Sequence, residues 1–243
     1  MTKNLSAIIF GLAIVISAGL LGNAYLQRSR PEGYVSVTGL GEADFNSDLI
    51  VWEGQFDFEH MDLKQAYAGL EGDRAKVIAY LRGKGTPEDR IVFSAVDTRK
   101  NTKSLYSDDG RYLGEEFMGY ALSQEIQIES SDVEAVEKLS REITELLNEG
   151  VRFYSRPPRY YFTKLADLKI EMISKATEDA RLRAERIAER SKAELGDLVS
   201  AQMGIFQITG QNSDEEYSWG GTFNTSSKAK TASITMKLEY KVK

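Results

Sequence analysis

His60 stands two residues before Asp62, and the two form the one imidazole–carboxylate pair that the chain offers for proton transfer. Lying after an alternating run and before a helical one, they equally suit an exposed loop histidine beside a helix-capping aspartate. The chain has no cysteine, which excludes thiolate nucleophiles, thiolate metal ligands, disulfides and lipid attachment at a cysteine together. With His60 as the sole histidine, multi-His metal sets are excluded as well, and a Ser-His-Asp triad would have one candidate base. No nucleophile is assembled with that base, so the sequence points to no catalytic residue, no cofactor and no metal. Asp108 and Asp109 lack the spaced acidic ligands of a calcium loop and read as a turn with Gly110. Gly39 and Gly41 lack the third glycine and the following helix of a dinucleotide loop.

Contact chemistry is better represented. Arg156, Arg159, Tyr160 and Tyr161 interleave cations with aromatic rings around Pro157 and Pro158, a mixture suited to a peptide, a glycan or a single-stranded nucleic acid, and equally to strand aromatics beside long arginines. Tyr217, Trp219 and Phe223 lie in a long stretch otherwise rich in Ser, Thr, Asn and Gly. Aromatic side chains in a polar loop lack the strand's reason for being there, so these three, with Arg159 and Tyr160, are the candidate contact residues, the other reading of the loop being that it folds back on its own sheet.

Charge narrows the partners. With 31 basic residues against 37 acidic ones, a net charge of −6 and no concentrated basic face, the chain is not expected to bind nucleic acid. The hydrophobic fraction of 42% in 243 residues is enough for a core of ordinary size.

Residues 5–21 form an uncharged apolar run between Lys3 and the pair Arg28 and Arg30. Membrane crossing needs roughly 20 apolar residues and a signal-peptide core about 7–15, so residues 1–27 read as a membrane anchor or a signal peptide. Gly22 and Ala24 would supply the small residues of a cleavage site. Charge leaves the orientation open, since Lys3 with the α-amino group stands against Arg28 and Arg30. Residues 28–33, with Pro31 and Gly33, read as a linker, and residues 34–243 as the folded domain.

The elements that must position the candidate residues follow from periodicity. Residues 163–196 carry the strongest helical signal: Leu165, Leu168, Met172, Ala176, Ala180, Ala184, Ile187 and Ala188 recur at spacings of three and four. Ala176, Ala180 and Ala184 mark a face built for close backbone approach, with Thr163 expected as N-cap and Gly196 as the residue past the end. Ile50, Trp52, Phe56 and Phe58 alternate as a half-buried strand, and Asp62 is placed to cap a helix striped by Ala66, Leu70, Val77 and Leu81. Strands are expected over 34–38, 91–96, 117–129, 198–208 and 231–242, and an extended segment over 151–162. Ser131 and Glu134 give a capping box before a helix through Val133, Val136, Leu139 and Ile143. Strand, helix, strand, strand, helix, strand is the split βαβ order, and the whole reads as an α+β fold, a largely antiparallel sheet with helices on one face. The last strand, regular and two-faced, reads as a long free edge.

Val37-Thr38-Gly39-Leu40-Gly41, the turn and strand from Gly85 to Val96, Gly119-Tyr120, and the Ala176-x-x-x-Ala180-x-x-x-Ala184 helix followed by Leu195-Gly196 together resemble the SIMPL-domain family over residues 34–243. The resemblance implies a bacterial periplasmic or envelope protein of poorly defined function, non-enzymatic by default, forming rings or higher homo-oligomers in some members, with links to envelope or oxidative stress. The family has no agreed catalytic residues, so none is carried over. With the envelope location that the resemblance implies, the long apolar N-terminus favours a tethered form, residues 5–24 in the inner membrane and the domain in the periplasm, the alternative being release into the periplasm after cleavage. A periplasmic small-ligand-binding protein or hydrolase is the other class; a deep pocket of converging ionisable groups would distinguish it from an assembling protein.

Overall fold

The computed structural model describes residues 2–28 and 33–242. The N-terminal run forms α1 (Thr2–Arg28), and its side chains from Phe10 to Tyr25 are exposed on every side. Among the described residues, no helix is long and apolar enough to cross a membrane. The expected linker falls largely on residues 29–32, outside the described residues.

There follow β1 (Gly33–Asn46), β2 (Leu49–His60), α2 (Leu63–Gly83), β3 (Ile91–Phe93), β4 (Asp97–Tyr106), β5 (Tyr112–Ser130), α3 (Val133–Glu142), β6 (Arg152–Ser155), β7 (Arg159–Tyr161), α4 (Leu165–Arg190), β8 (Leu195–Met203), β9 (Gln207–Gly210) and β10 (Ala229–Val242). This is an α+β fold with antiparallel sheets. The single sheet expected from the strand pattern is in fact two: a six-stranded sheet ordered β3-β5-β2-β6, with β4 also on β5 and β7 also on β2, and a four-stranded sheet ordered β1-β10-β8, with β9 also on β10. By contacts the chain divides into two compact units, each assembled from separated segments.

The larger unit comprises residues 42–172 and 205–234. In its six-stranded sheet β2 and β3, joined through α2, flank β5, and β6 follows α3 onto the other side of β2, the split βαβ order. Ile50, Trp52 and Phe56 of β2, Leu122, Ile126 and Ile128 of β5, and the stripes of α2 and α3 form one core. Asp62 caps α2, its carboxylate accepting the Gln65 N–H at 2.9 Å. At α3 the expected capping box is not used: Asp132 is the cap, accepting from the Ala135 N–H at 3.1 Å, and Glu134 instead receives the Lys228 ammonium at 2.7 Å. Strand 91–96 shortens to β3, and the polar excursion after it is a long exposed hairpin, β4 with the first half of β5, turned at Gly110 with φ 80°. Pro157 and Pro158 divide the extended segment into β6 and β7, both on the edge of β2.

The smaller unit comprises residues 1–41, 173–204 and 235–243. Ala176, Ala180 and Ala184 are fully buried, as the stripe predicts. Neither Gly39 nor Gly41 closes a strand, since β1 runs through both. A Cβ on Gly39 would lie 2.2 Å from the Ala176 carbonyl oxygen and 2.3 Å from the Ala180 nitrogen, so the absence of a side chain lets the strand lie against the helix backbone. The end of α4 differs from expectation. Lys192, at φ 57°, is the left-handed residue, its N–H on the Glu189 carbonyl (3.2 Å) and the Ala193 N–H on the Ala188 carbonyl (3.0 Å). Gly196 belongs to β8, against the Lys241 backbone, and the Thr163 hydroxyl donates to Asp48 at 2.7 Å instead of capping the helix. The final strand, read as an edge, is central, with β1 on one side and β8 and β9 on the other.

Candidate functional site

The strand expected over 198–208 breaks at Gly204, where a Cβ would meet the Thr235 hydroxyl at 2.3 Å, and its remainder is β9. β9 lies antiparallel to the start of β10, pairing Thr209 with Thr231 and Gly210 with Lys230, and the polar loop of residues 211–228 connects them. The loop folds back on β9. The Ile208 N–H donates to the Thr222 carbonyl (2.7 Å) and the Asn224 N–H to the Ile208 carbonyl (2.9 Å), so residues 222–224 cover the side of β9 that faces away from β10.

Buried polar side chains hold this return in place. Gln207 donates to the Ser218 carbonyl at 2.9 Å and accepts from the Thr222 N–H at 2.6 Å. Asn224 accepts from the Ser227 N–H at 2.8 Å and donates to Glu215, which also accepts from the Gly210 N–H at 2.8 Å. Beneath them Lys230, 2% exposed, donates to the carbonyl and side-chain oxygens of Asn224. Its burial pushes the ammonium pKa down to about 8, against a weaker pull upward from Glu215. The Gly210 N–H and then the Asn224 amide hold the Glu215 carboxyl below its usual range.

On this frame Trp219 stands 96% exposed, and Tyr217 and Phe223 are exposed beside it. The Tyr217 hydroxyl shares a hydrogen bond with Ser233 at 3.1 Å, and Phe223 forms a parallel bridge with Ile208. Next to the loop a cleft of about 510 Å³ is lined by Glu42, Asp44, Thr209, Glu215, Tyr217 and Thr231, among others. Two of its three carboxylates, Asp44 and Glu215, already hold partners. Asp44 accepts from the Thr231 hydroxyl (2.6 Å) and the Gln211 amide (2.9 Å), and Glu215 is engaged as above. Carboxylates saturated in this way suit contact with a polar chain better than proton transfer.

The other sequence candidates separate. Arg159 and Tyr160 are neighbours on β7 and so face opposite ways: Tyr160 is buried in the core, while Arg159 is paired with Glu53. Glu53 also pairs with Arg156 at 3.5 Å, and Arg152 with Asp57 at 2.7 Å, which makes this part of β2 a cross-strand charge ladder. Burial holds the Asp57 carboxyl above its usual range in spite of Arg152. His60 and Asp62 do not pair through the carboxylate; the imidazole Nδ1 lies 3.0 Å from the Asp62 N–H, and the carboxylate caps α2. The Asp109 carboxylate accepts from the Ser107 hydroxyl within the hairpin turn.

Sequence reasoning missed Lys230, Asn224 and Glu215. The signal was available for Lys230, which falls on the same phase of β10 as Ala232, Ile234 and Leu238, where the alternation calls for an inward side chain.

A comparison with curated proteins finds no match. The model of the SIMPL family, described as a protein of unknown function (DUF541), matches residues 35–242, which take in both sheets and the pinned loop. The chain therefore belongs to the SIMPL (DUF541) family.

Proposed function

We propose that this chain is a non-enzymatic envelope protein, held at the inner membrane through residues 5–24 with residues 34–243 on the periplasmic side. It acts by homo-oligomerisation and protein contact, in the setting of envelope or oxidative stress. The observation that carries the reading is the presentation of Trp219. A tryptophan 96% exposed on a loop tied down by buried polar side chains is held ready for a surface to cover it. The engagement of Asp62 in a helix cap and of His60 with backbone supports contact in preference to acid–base chemistry. The envelope assignment rests on the apolar run and on the exposure of its helix from Phe10 to Tyr25, a surface that calls for lipid or protein cover.

Fluorescence tests the contact. Trp219 and the fully buried Trp52 are the two tryptophans, so the difference between the wild-type chain and Trp219→Phe isolates the loop signal. In vesicles carrying the full chain at rising density, Trp219 is expected to shift to the blue and lose acrylamide quenching. A Trp219 that stays fully quenchable at every density overturns the contact role. Protease added from the periplasmic side is expected to cut the domain, and protection would reverse the orientation.

A further inference from the structure

The cleft beside β9 is lined by groups that other groups hold in place. Asp44 is fixed by the Thr231 hydroxyl and the Gln211 amide, and Glu215 by the Gly210 N–H and the Asn224 amide. The Tyr217 ring is fixed as well: its hydroxyl is tied at 3.1 Å to Ser233, a buried residue, while the tyrosine itself stays 63% exposed. A phenol held at its hydroxyl end keeps its ring in one orientation at the cleft. Glu42 lies two residues from Asp44 on the same face of β1 and holds no partner among the described residues, so it is the open acceptor. Thr209, Asn212 and Ser213 add hydroxyl and amide groups, and neither lysine nor arginine is among the lining residues.

This lining separates the classes of ligand. A phosphate, a nucleic acid or an acidic sugar would meet Glu42, Asp44 and Glu215 with no lining cation to offset them. An apolar ligand would take the same carboxylates out of water and return no hydrogen bond. An amine would satisfy the carboxylates and leave the Asn212 amide, which donates, without a use. A sugar ring meets all three kinds of group at once. Its hydroxyls donate to carboxylates and accept from hydroxyls and amides along the edge, and its C–H face stacks on the electron-rich face of an aromatic ring.

We propose that this cleft binds a neutral glycan chain, with one sugar ring stacked on Tyr217 and its hydroxyls on Glu42, Thr209 and Ser213. The inference goes beyond the protein contact assigned to Trp219, which does not line the cleft. A volume of about 510 Å³ falls within the range of small-molecule sites, roughly 300–1,000 Å³. Because Tyr217, Asp44 and Glu215 are oriented before any ligand arrives, binding orders few side chains and loses little entropy in doing so.

The test uses the full chain in lipid nanodiscs, which keeps glycoside detergents out of the cleft. Titration calorimetry with cellotetraose, maltotetraose and the tetramer of N-acetylglucosamine is expected to show saturable binding of at least one. Tyr217→Leu and Glu42→Ala are each expected to weaken that binding roughly tenfold, the first by removing the stacking ring and the second the open acceptor. Tyr106→Leu, which removes an equally exposed tyrosine from the β4 hairpin, is expected to leave it unchanged. Hydrogen exchange of the wild-type chain gives a reading that no variant's folding can disturb: the bound tetrasaccharide is expected to slow amides 209–217 and not amides 104–114. Binding of none of the three overturns the proposal, as does binding that survives Tyr217→Leu and Glu42→Ala together. Slowed exchange elsewhere with none at 209–217 overturns it too. Spermidine bound more tightly than every tetrasaccharide makes the cleft a cation site and overturns the glycan.

Discussion

The seam between β1 and the second half of α4 and the loop of residues 211–228 are both ordered, by opposite means. In the seam, main chain lies directly against main chain: Gly39 has no side chain to interpose, and Ala176 and Ala180 contribute a methyl each. In the loop there is no apolar stripe, and Gln207, Asn224 and Lys230 place buried polar atoms where the returning backbone needs partners. The seam is therefore sensitive to added volume, because packed backbone has nowhere to move. The loop is sensitive to a lost partner, because a buried polar group left unpaired costs more than the bond contributed.

The largest break is expected at the seam. Gly39→Ala forces a Cβ to within 2.2 Å of the Ala176 carbonyl oxygen, so α4 or β1 must shift. We expect a loss of about 3 kcal/mol in chemical denaturation, at the upper end of overpacking costs. A loss below half of that would show that the strand can draw away from the helix.

At the loop, Asn224→Ala removes the acceptor of the Ser227 N–H and one of the acceptors of Lys230, and leaves Glu215 without its amide partner. The expected loss is about 1–3 kcal/mol. Hydrogen exchange locates it, with amides 222–227 losing protection while those of β2 and β5 keep theirs. Uniform loss across the chain would mean that the loop is not a separable element.

An effect smaller per pH unit sharpens the contrast. Lys230 releases its proton near pH 8 in the folded chain and near 10.5 unfolded, so between these values the unfolded state binds more protons. Stability from this residue therefore rises as pH rises from about 8 toward 10.5, by no more than about 1.4 kcal/mol per pH unit. Lys230→Met is expected to lack the rise, read as the difference between the two pH profiles. Parallel profiles would mean that the ammonium is not desolvated as its burial implies.

Legibility in the sequence followed the kind of interaction. The Ala176, Ala180 and Ala184 stripe, the β2 alternation through Ile50, Trp52 and Phe56, and the Asp62 cap were all readable, because each depends on spacing within one element. The polar surroundings of Tyr217, Trp219 and Phe223 were readable too, as a contact site or as a loop folding back on its own sheet, and the loop does return onto β9. The network beneath them was not, since Gln207, Glu215, Asn224 and Lys230 lie far enough apart in sequence that no local pattern links them. Capping by Asp132 instead of Ser131, and the left-handed turn at Lys192 instead of Gly196, were misassigned because several nearby residues satisfy the same local rule.

By itself, then, the sequence determined which side chains share a face of α2, α3, α4, β2 and β10, since periodicity and handedness act within a segment. The tertiary structure alone decided that there are two sheets and that β10 is a centre and not an edge. Backbone donors and acceptors are the same at nearly every residue, so strand partners are selected by packing across the whole chain and not by any local run of residues.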